Sequence, residues 1–205
     1  MLLPTSTNIF LINERVHMIS KNRLLPFIVS LAIFFSANFA LAEDKSFSLY
    51  VDQQGSITLP KDFRLKMVHL GSWFVPQGDA SGFHDVYTEK SSAEFYRKTG
   101  TFPDGATIIK ELRPSKSGNY TTGTGVSYPL ESVKQWFVMI KDSKSRFKGN
   151  ENWGLGWGWA LFKTDAPSVN VSSNYQADCL ACHMPAKKTD WIYTEAYPTL
   201  SKPLH

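Results

Sequence analysis

The sequence is poor in cysteine, with two in 205 residues, and these two lie three positions apart, at Cys179 and Cys182. A disulfide between them would close a very small loop and stabilise the fold little, because the stabilisation grows with loop length. Long runs of Lys and Arg are also absent, and the formal net charge is only +4. These properties exclude a framework of structural disulfides and argue against a nucleic-acid partner.

The first part of the chain lacks an apolar run long enough for a stable membrane span, which needs about 20 residues. From Lys21 two cations precede an apolar stretch that is broken by Pro26, and the small residues Ala40 and Ala42 follow it. This order is typical of a secretory signal peptide. We therefore expect residues 1–42 to be signal peptide and leader, with translation starting at Met18. Residues 43–205 are predicted to form one exported, periplasmic domain with no membrane span after cleavage.

The two cysteines belong to the sequence Cys-Leu-Ala-Cys-His, which ends at His183. Cys-x-x-Cys-His is the attachment signature of c-type haem. Two thiols one helical turn apart can form thioethers with one edge of the porphyrin, and the next histidine can ligate the iron. The motif therefore predicts a covalent haem c held by Cys179 and Cys182, with His183 as the axial ligand. A redox dithiol of the thioredoxin kind would instead follow a strand in a βαβ pattern.

The ligand on the other side of the iron decides between electron transfer and small-molecule chemistry. Met184 adjoins the axial histidine and cannot reach across the ring plane. Met67 and Met139 lie in apolar patterns typical of core methionines, and His69 and His84 occupy positions where surface or capping roles are common. The composition therefore favours an open iron, and a six-coordinate electron carrier remains an alternative.

The hydrophobic pattern predicts an α+β fold, predominantly antiparallel β-sheet with a few short helices, in a single domain. We expect helices over residues 60–70, 91–99 and around the cysteines, with Gly71 and Gly100 as stops. The predicted strands are HDVYTE (84–89), ATIIKELRP (106–114), VKQWFVMIKD (133–142) and GLGWGWALFK (154–163). Two Gly- and Ser-rich segments, 71–83 and 115–125, are predicted to be loops.

One lysine stands out in the strand TIIKELR. Alternation along a strand places Ile108, Lys110 and Leu112 on one face and Glu111 and Arg113 on the other. A lysine that shares a face with aliphatic residues is costly unless its stem reaches solvent or its amine is neutral. Both a lysine reaching solvent and a lysine aimed at the interior fit this pattern.

The chain resembles the P-460 cytochrome family over essentially all of residues 43–205. The segments that carry the resemblance are HLGSWFV, HDVYTE, FYRKTGTFPDGATIIKEL, QWFVMIKD, WGWALFK and NYQADCLACHMPAKKTDWIYTEAYPTL. The resemblance implies a periplasmic homodimer with a mainly antiparallel β fold and a five-coordinate haem ligated by His183. It also implies that a lysine amine is bonded to a meso carbon of the porphyrin. Lys110 is the best match, with Lys141 of VMIKD as the second candidate.

Catalytic members of the family oxidise hydroxylamine, so the resemblance implies a small nitrogen-oxide substrate and an external electron acceptor such as a soluble cytochrome c. Removing protons from the substrate needs a base near the open side of the iron. The segment 166–177 has no carboxylate, and Asp165, Asp178, Asp190 and Glu195 are expected to be solvated or to cap turns. The alternative implied by the same resemblance is a β-type cytochrome c′, which binds nitric oxide without catalysis.

Overall fold

The fold is known from a computed structural model that describes residues 47–201. The predicted signal peptide, its cleavage after Ala42 and the start at Met18 lie outside the described residues. Within 47–201, no helix has the length and apolar character needed to cross a membrane.

Eight strands form most of the regular structure. They are β1 (Val68–Val75), β2 (Gly82–Thr88), β3 (Thr107–Arg113), β4 (Ser115–Tyr120), β5 (Gly123–Pro129), β6 (Gln135–Lys141), β7 (Trp153–Gly154) and β8 (Trp157–Lys163). The α-helices are α1 (Phe63–Lys66), α2 (Lys90–Thr99), α3 (Tyr175–Asp178) and α4 (Leu180–His183), and 3₁₀ turns follow over Met184–Thr189, Thr194–Ala196 and Pro198–Leu200. The predicted α+β class with a mainly antiparallel sheet is confirmed.

Six strands form one antiparallel sheet in the order β1-β2-β3-β6-β8-β7. Successive strands are therefore mostly neighbours, and β4 and β5 form a separate hairpin between β3 and β6. The hairpin covers most of the segment 115–125, which we predicted to be a loop. Its strands are polar and largely exposed, so they lack the apolar alternation by which a strand is recognised.

Both faces of the six-stranded sheet are covered, which explains the nearly continuous apolar runs in β3, β6 and β8. The front face carries Val86, Ile108, Met139, Trp157 and Trp159, and it packs against α2 and the C-terminal segment 179–200. The back face packs against the segment before β1, and its buried residues are Ile109, Val138, Ile140, Ala160 and Phe162. The C-terminal segment with the cysteines therefore lies over the front face.

Strand β1 replaces two predicted elements, the second half of a helix and the start of a loop. Only one helical turn, Phe63–Lys66, forms before the strand. The strand has a bulge between His69 and Gly71, and a β-carbon at position 71 would collide with the carbonyl of Ala196. A glycine within a strand often marks such a close approach, whereas we interpreted Gly71 as a helix stop.

Helix α2 ends where the sequence indicates, at Gly100, whose φ of 78° is in the left-handed region that favours glycine. It begins at Lys90, with Glu89 at the N-cap position. The Glu89 carboxylate accepts a hydrogen bond from Ser92 Oγ at 2.9 Å and another from the Thr107 amide at 3.0 Å. The expected serine cap is thus replaced by a glutamate that also joins the helix to β3.

Candidate haem site

The haem motif lies on two one-turn helices, α3 and α4, that are held at their entry by polar side chains. Asn174 Oδ1 accepts from the Gln176 amide and caps α3. Asp178 Oδ2 accepts from the Ser173 amide at 2.9 Å and from Ser172 Oγ at 3.2 Å. These bonds lower the pKa of Asp178, with the Asn174 and Ser173 amides as the main causes. Asp178 is therefore a turn-holding residue, as expected.

The two thiols are free and differ in exposure. Cys179 is 8% exposed and packs in the front core, where burial raises the pKa of its thiol. Cys182 is exposed and lines the cleft between the C-terminal segment and the sheet. One cysteine thus lies deep in the front core and the other on the exposed side of the cleft.

His183 is oriented by a single strong hydrogen bond. Its Nδ1 lies 2.7 Å from the carbonyl oxygen of Trp191. A carbonyl can only accept, so Nδ1 carries the proton and Nε2 keeps its lone pair for a metal. Burial lowers the pKa of His183, which favours the neutral imidazole that metal ligation requires. Trp159 packs edge-on against the ring, with centroids 4.9 Å apart, and fixes the ring plane.

The cleft beside His183 is mainly apolar and aromatic. Its lining from the sheet and the C-terminal segment is Trp73, Ile108, Lys110, Phe137, Met139, Cys182, His183, Ile192, Tyr193 and Tyr197. The donor set of two free thiols and a neutral imidazole with a bare Nε2 fits a c-type haem. The enclosed volume of about 60 Å³ is smaller than a porphyrin, so the residue set carries the assignment.

Lys110 enters this cleft from β3, on the same face as Ile108, as strand alternation predicts. Its Nζ lies 4.0 Å from the ring centroid of Phe137 and 5.9 Å from that of Trp73. No carboxylate of residues 47–201 pairs with it. Desolvation by burial lowers the pKa of Lys110 from 10.5 to about 8. About a tenth of the amine is therefore neutral at pH 7, a far larger fraction than in an ordinary surface lysine.

Lys141, the second candidate for a bond to the porphyrin, also lies on the front face, but its amine is engaged. Its Nζ is 2.6 Å from Asp190 Oδ2 and 4.8 Å from the ring centroid of Trp157. Asp190 lies at the C-cap of the 3₁₀ turn Met184–Thr189, in line with the capping role that we expected, and its carboxylate also pairs with Lys141. The two lysines share a face, yet only Lys110 lines the cleft with His183.

The remaining candidate iron ligands are two methionines and two histidines, and two of the four differ from expectation. Met67 packs in the back core, but Met139, also buried, lines the cleft. His69 is exposed on β1, where its Nε2 lies 2.9 Å from Ser72 Oγ. His84, expected at the surface or at a cap, is 4% exposed, and its ring stacks on Trp73 with centroids 4.9 Å apart. The alternation of HDVYT, which places His84 beside Val86, would have indicated this burial.

Polar groups that could act on a substrate are few in the cleft. Within the described part of the chain, its lining includes no Asp or Glu; Asp165, Asp178 and Glu195 are exposed. The phenols of Tyr193 and Tyr197 and the amine of Lys110 are its polar side chains. Burial raises the pKa of Tyr197, so its phenol stays protonated. Trp73, Tyr193 and Tyr197 were missed in the sequence because Trp73 falls in a predicted loop and the tyrosines follow the motif without a pattern.

Comparison with known proteins agrees with this site. The sequence profile described as Cytochrome P460 matches residues 60–194, a range that contains Lys110, both cysteines and His183. No curated protein matches the chain. The matched range spans more than half of the sequence and includes the whole six-stranded sheet. The chain therefore belongs to the cytochrome P460 family, which makes it a mono-haem c-type cytochrome.

Proposed function

We propose that this protein is an exported, periplasmic cytochrome that binds its haem covalently through Cys179 and Cys182 and oxidises hydroxylamine at the side of the iron opposite His183. The observation that carries the proposal is Lys110. It lines the same cleft as His183, and no carboxylate among the described residues pairs with it. A half-buried ionisable group that lines a cleft and has no structural partner is a candidate functional group.

When bound, the haem supplies an iron that exchanges electrons with a small molecule at its open side. The chain supplies the surroundings. The Trp191 carbonyl holds the His183 ring with Nε2 free, and the apolar lining excludes bulk water from the cleft. Lys110 contributes an amine that is neutral for a substantial fraction of the time near its pKa of about 8. Only the neutral amine has the lone pair needed to bond to a porphyrin carbon, which is the role that we propose for Lys110. The new C–N bond would replace one N–H and one C–H bond, and a two-electron oxidant such as hydrogen peroxide would accept the two electrons and two protons.

The described cleft has no carboxylate, so another group would have to remove protons from the substrate. The Tyr193 hydroxyl donates to the Cys182 carbonyl at 2.5 Å and is thereby occupied. The Tyr197 phenol, kept protonated by burial, can donate a hydrogen bond to a bound ligand. Behind Trp73, the Nε2–H of His84 donates to the Ala80 carbonyl at 2.8 Å, and its Nδ1 is buried with no partner within 47–201.

The test is to purify the haem-loaded protein and to measure hydroxylamine oxidation with an artificial electron acceptor. Together with the ferrous Soret band and the mass of the haem peptide, this assay separates the hypotheses. We expect turnover, a red-shifted ferrous Soret band and a haem peptide linked to Lys110. An absence of turnover with a normal Soret band would contradict the proposal.

A non-catalytic nitric oxide binder is the second candidate. The specific observation in its favour is the lack of a carboxylate in the described cleft, together with the aromatic rings of Trp73 and Phe137 on its walls. This function predicts an ordinary high-spin Soret band, slow nitric oxide binding and no turnover.

A six-coordinate electron carrier would need Met139, which is the one of the four candidate ligands Met67, Met139, His69 and His84 that lines the described cleft. This function predicts a low-spin spectrum and no ligand binding until Met139 is replaced by Leu. Either observation would exclude the open iron.

Three further proposals follow from the sequence and the family resemblance. We propose that the protein is a homodimer, that a soluble cytochrome c accepts its electrons, and that residues 1–42 are removed on export. Light scattering, reduction of an added cytochrome c and the N-terminal peptide mass of the precursor and the mature protein test these in turn. A precursor peptide that contains Leu2 to His17 would refute the start at Met18.

A further inference from the structure

The turn that follows the haem motif contains two consecutive residues with left-handed backbone. Asp190 has φ 57° and Trp191 has φ 69°. This conformation is unfavourable for any residue with a β-carbon; Asp tolerates it better than most, but a bulky aromatic residue does not. Interactions elsewhere must therefore hold the turn in place.

One carboxylate joins this turn to the sheet. Asp190 Oδ2 lies 2.6 Å from Lys141 Nζ, and Asp190 Oδ1 accepts from Trp157 Nε1 at 3.3 Å. Lys141 at the end of β6 and Trp157 at the start of β8 face each other across the two strands. Residues of two paired strands thus bind both carboxylate oxygens of Asp190.

The turn presents the carbonyl oxygen of Trp191 to the proposed iron ligand. That oxygen accepts from His183 Nδ1 at 2.7 Å. The Trp191 amide donates to the Ala186 carbonyl at 2.8 Å, so the backbone on the other side of the Trp191 α-carbon is held within the turn as well. A hydrogen bond to the second nitrogen of a ligating imidazole fixes the ring and increases its basicity as a ligand.

We propose that Asp190 and Lys141 are positioning residues that hold the Trp191 carbonyl against His183 and thereby set the strength of the bond between the imidazole and the iron. The inference rests on the proposed role of His183 as axial ligand, and it is independent of whether hydroxylamine is oxidised. It also gives Lys141 a role other than the bond to the porphyrin considered above, because its amine is paired with Asp190.

The test compares Asp190→Asn and Lys141→Met in the haem-loaded protein. The readouts are the iron–histidine stretching frequency of the ferrous form and the reduction midpoint potential. If the carbonyl drifts from His183, the imidazole becomes a weaker donor, so both variants are expected to lower the stretching frequency. Both are also expected to raise the potential, because the ferric iron loses more donation than the ferrous iron.

The sign of the shift in reduction potential in Lys141→Met distinguishes positioning from a direct electrostatic effect of the charge. Removal of the Asp190 charge raises the potential in either case. Removal of the Lys141 cation alone would lower the potential, whereas loss of positioning raises it. Shifts of opposite sign in the two variants, or frequencies equal to wild type in both, would overturn the proposal.

Three controls complete the experiment. Asp62→Asn breaks an exposed ion pair with Lys66 in the segment that packs on the back face of the sheet, and should leave both readouts unchanged. Lys141→Arg should restore the wild-type frequency. If Asp190→Asn does not fold, Trp157→Phe removes the Nε1 donor to Asp190 together with part of a buried ring, and should shift the frequency in the same direction. A ferrous iron without any iron–histidine band would instead count against the proposed open iron, while the potentials would still test Asp190 and Lys141.

Discussion

Lys110 and Glu111 are neighbours in β3 that point to opposite faces of the sheet and have opposite surroundings. Glu111 is 1% exposed, and its carboxylate accepts from Arg64 Nη2 at 2.6 Å and from Trp136 Nε1 at 3.0 Å. Lys110 meets aromatic rings and no acid within residues 47–201. A buried charge that is fully paired serves the fold, whereas a buried amine without a partner is available for chemistry.

Cavity size alone favours the opposite face of the sheet. A groove of about 850 Å³ on the back face is lined by Phe63, Arg64, Glu111 and Trp136, among others. It is far larger than the cleft on the front face, but its buried carboxylate, Glu111, is paired with Arg64. The two faces therefore differ in that the larger groove has a paired carboxylate, whereas the smaller cleft has an amine without an acidic partner among the described residues.

The largest effect that would break this comparison is expected from Lys110→Met. The variant should lose the haem–peptide cross-link and the red-shifted ferrous Soret band completely, because no other amine of the described residues lines the cleft. Its free energy of unfolding should be unchanged or higher, since a buried amine is replaced by an apolar chain of similar length. Absorption spectra, haem-peptide mass and urea unfolding measure the three quantities. Lys141→Met is the matched control and should keep the cross-link; an unchanged spectrum in Lys110→Met would point to Lys141.

A substitution of Glu111 on the back face should have the opposite effects: a loss of stability and no change in the haem spectrum. Glu111→Gln keeps the shape but leaves Arg64 and Arg113 beside an uncharged amide, and we expect a loss of about 3 kcal/mol in the free energy of unfolding. The Soret band and the cross-link should be unaffected. Urea unfolding against the exposed Glu131→Gln measures the loss. A cost equal to that of Glu131→Gln would show that the paired carboxylate on the back face is not structural.

The smallest expected effect is a pH dependence of the rate at which Lys110 forms the cross-link. The neutral amine of Lys110 is the reactive form, and its pKa is lowered to about 8 by burial. The neutral fraction therefore rises with pH, from about a tenth at pH 7 to about nine tenths at pH 9. Haem-loaded, uncross-linked protein treated with hydrogen peroxide as two-electron oxidant should form the cross-link at an initial rate with a midpoint near pH 8. A midpoint above pH 10 would mean that Lys110 is as solvated as a surface lysine.

Much of the sheet could be predicted from the sequence because β3, β6 and β8 carry apolar runs and β2 is a short segment with β-branched and aromatic residues. Strand β1 could not, since Gly71 and Ser72 resemble loop composition and its register depends on pairing with β2. The haem motif and the orientation of Lys110 follow from local spacing. The partner of His183 does not, because it is a backbone carbonyl in a strained turn whose position depends on an ion pair between residues 49 positions apart.

The close approach at Gly71 has a consequence for the order in which the molecule assembles. The strands of the sheet are mostly joined to their neighbours in sequence, whereas the C-terminal segment contacts β1 across 130 positions, through Thr199 Oγ1 and the His69 carbonyl at 2.8 Å. Contacts of such long sequence separation carry a larger loop-closure cost and tend to form late. The sheet can therefore form while the C-terminal segment with the cysteines is still unpacked and accessible to an attachment enzyme. Because Gly71 has no β-carbon, the C-terminal segment can then pack against β1.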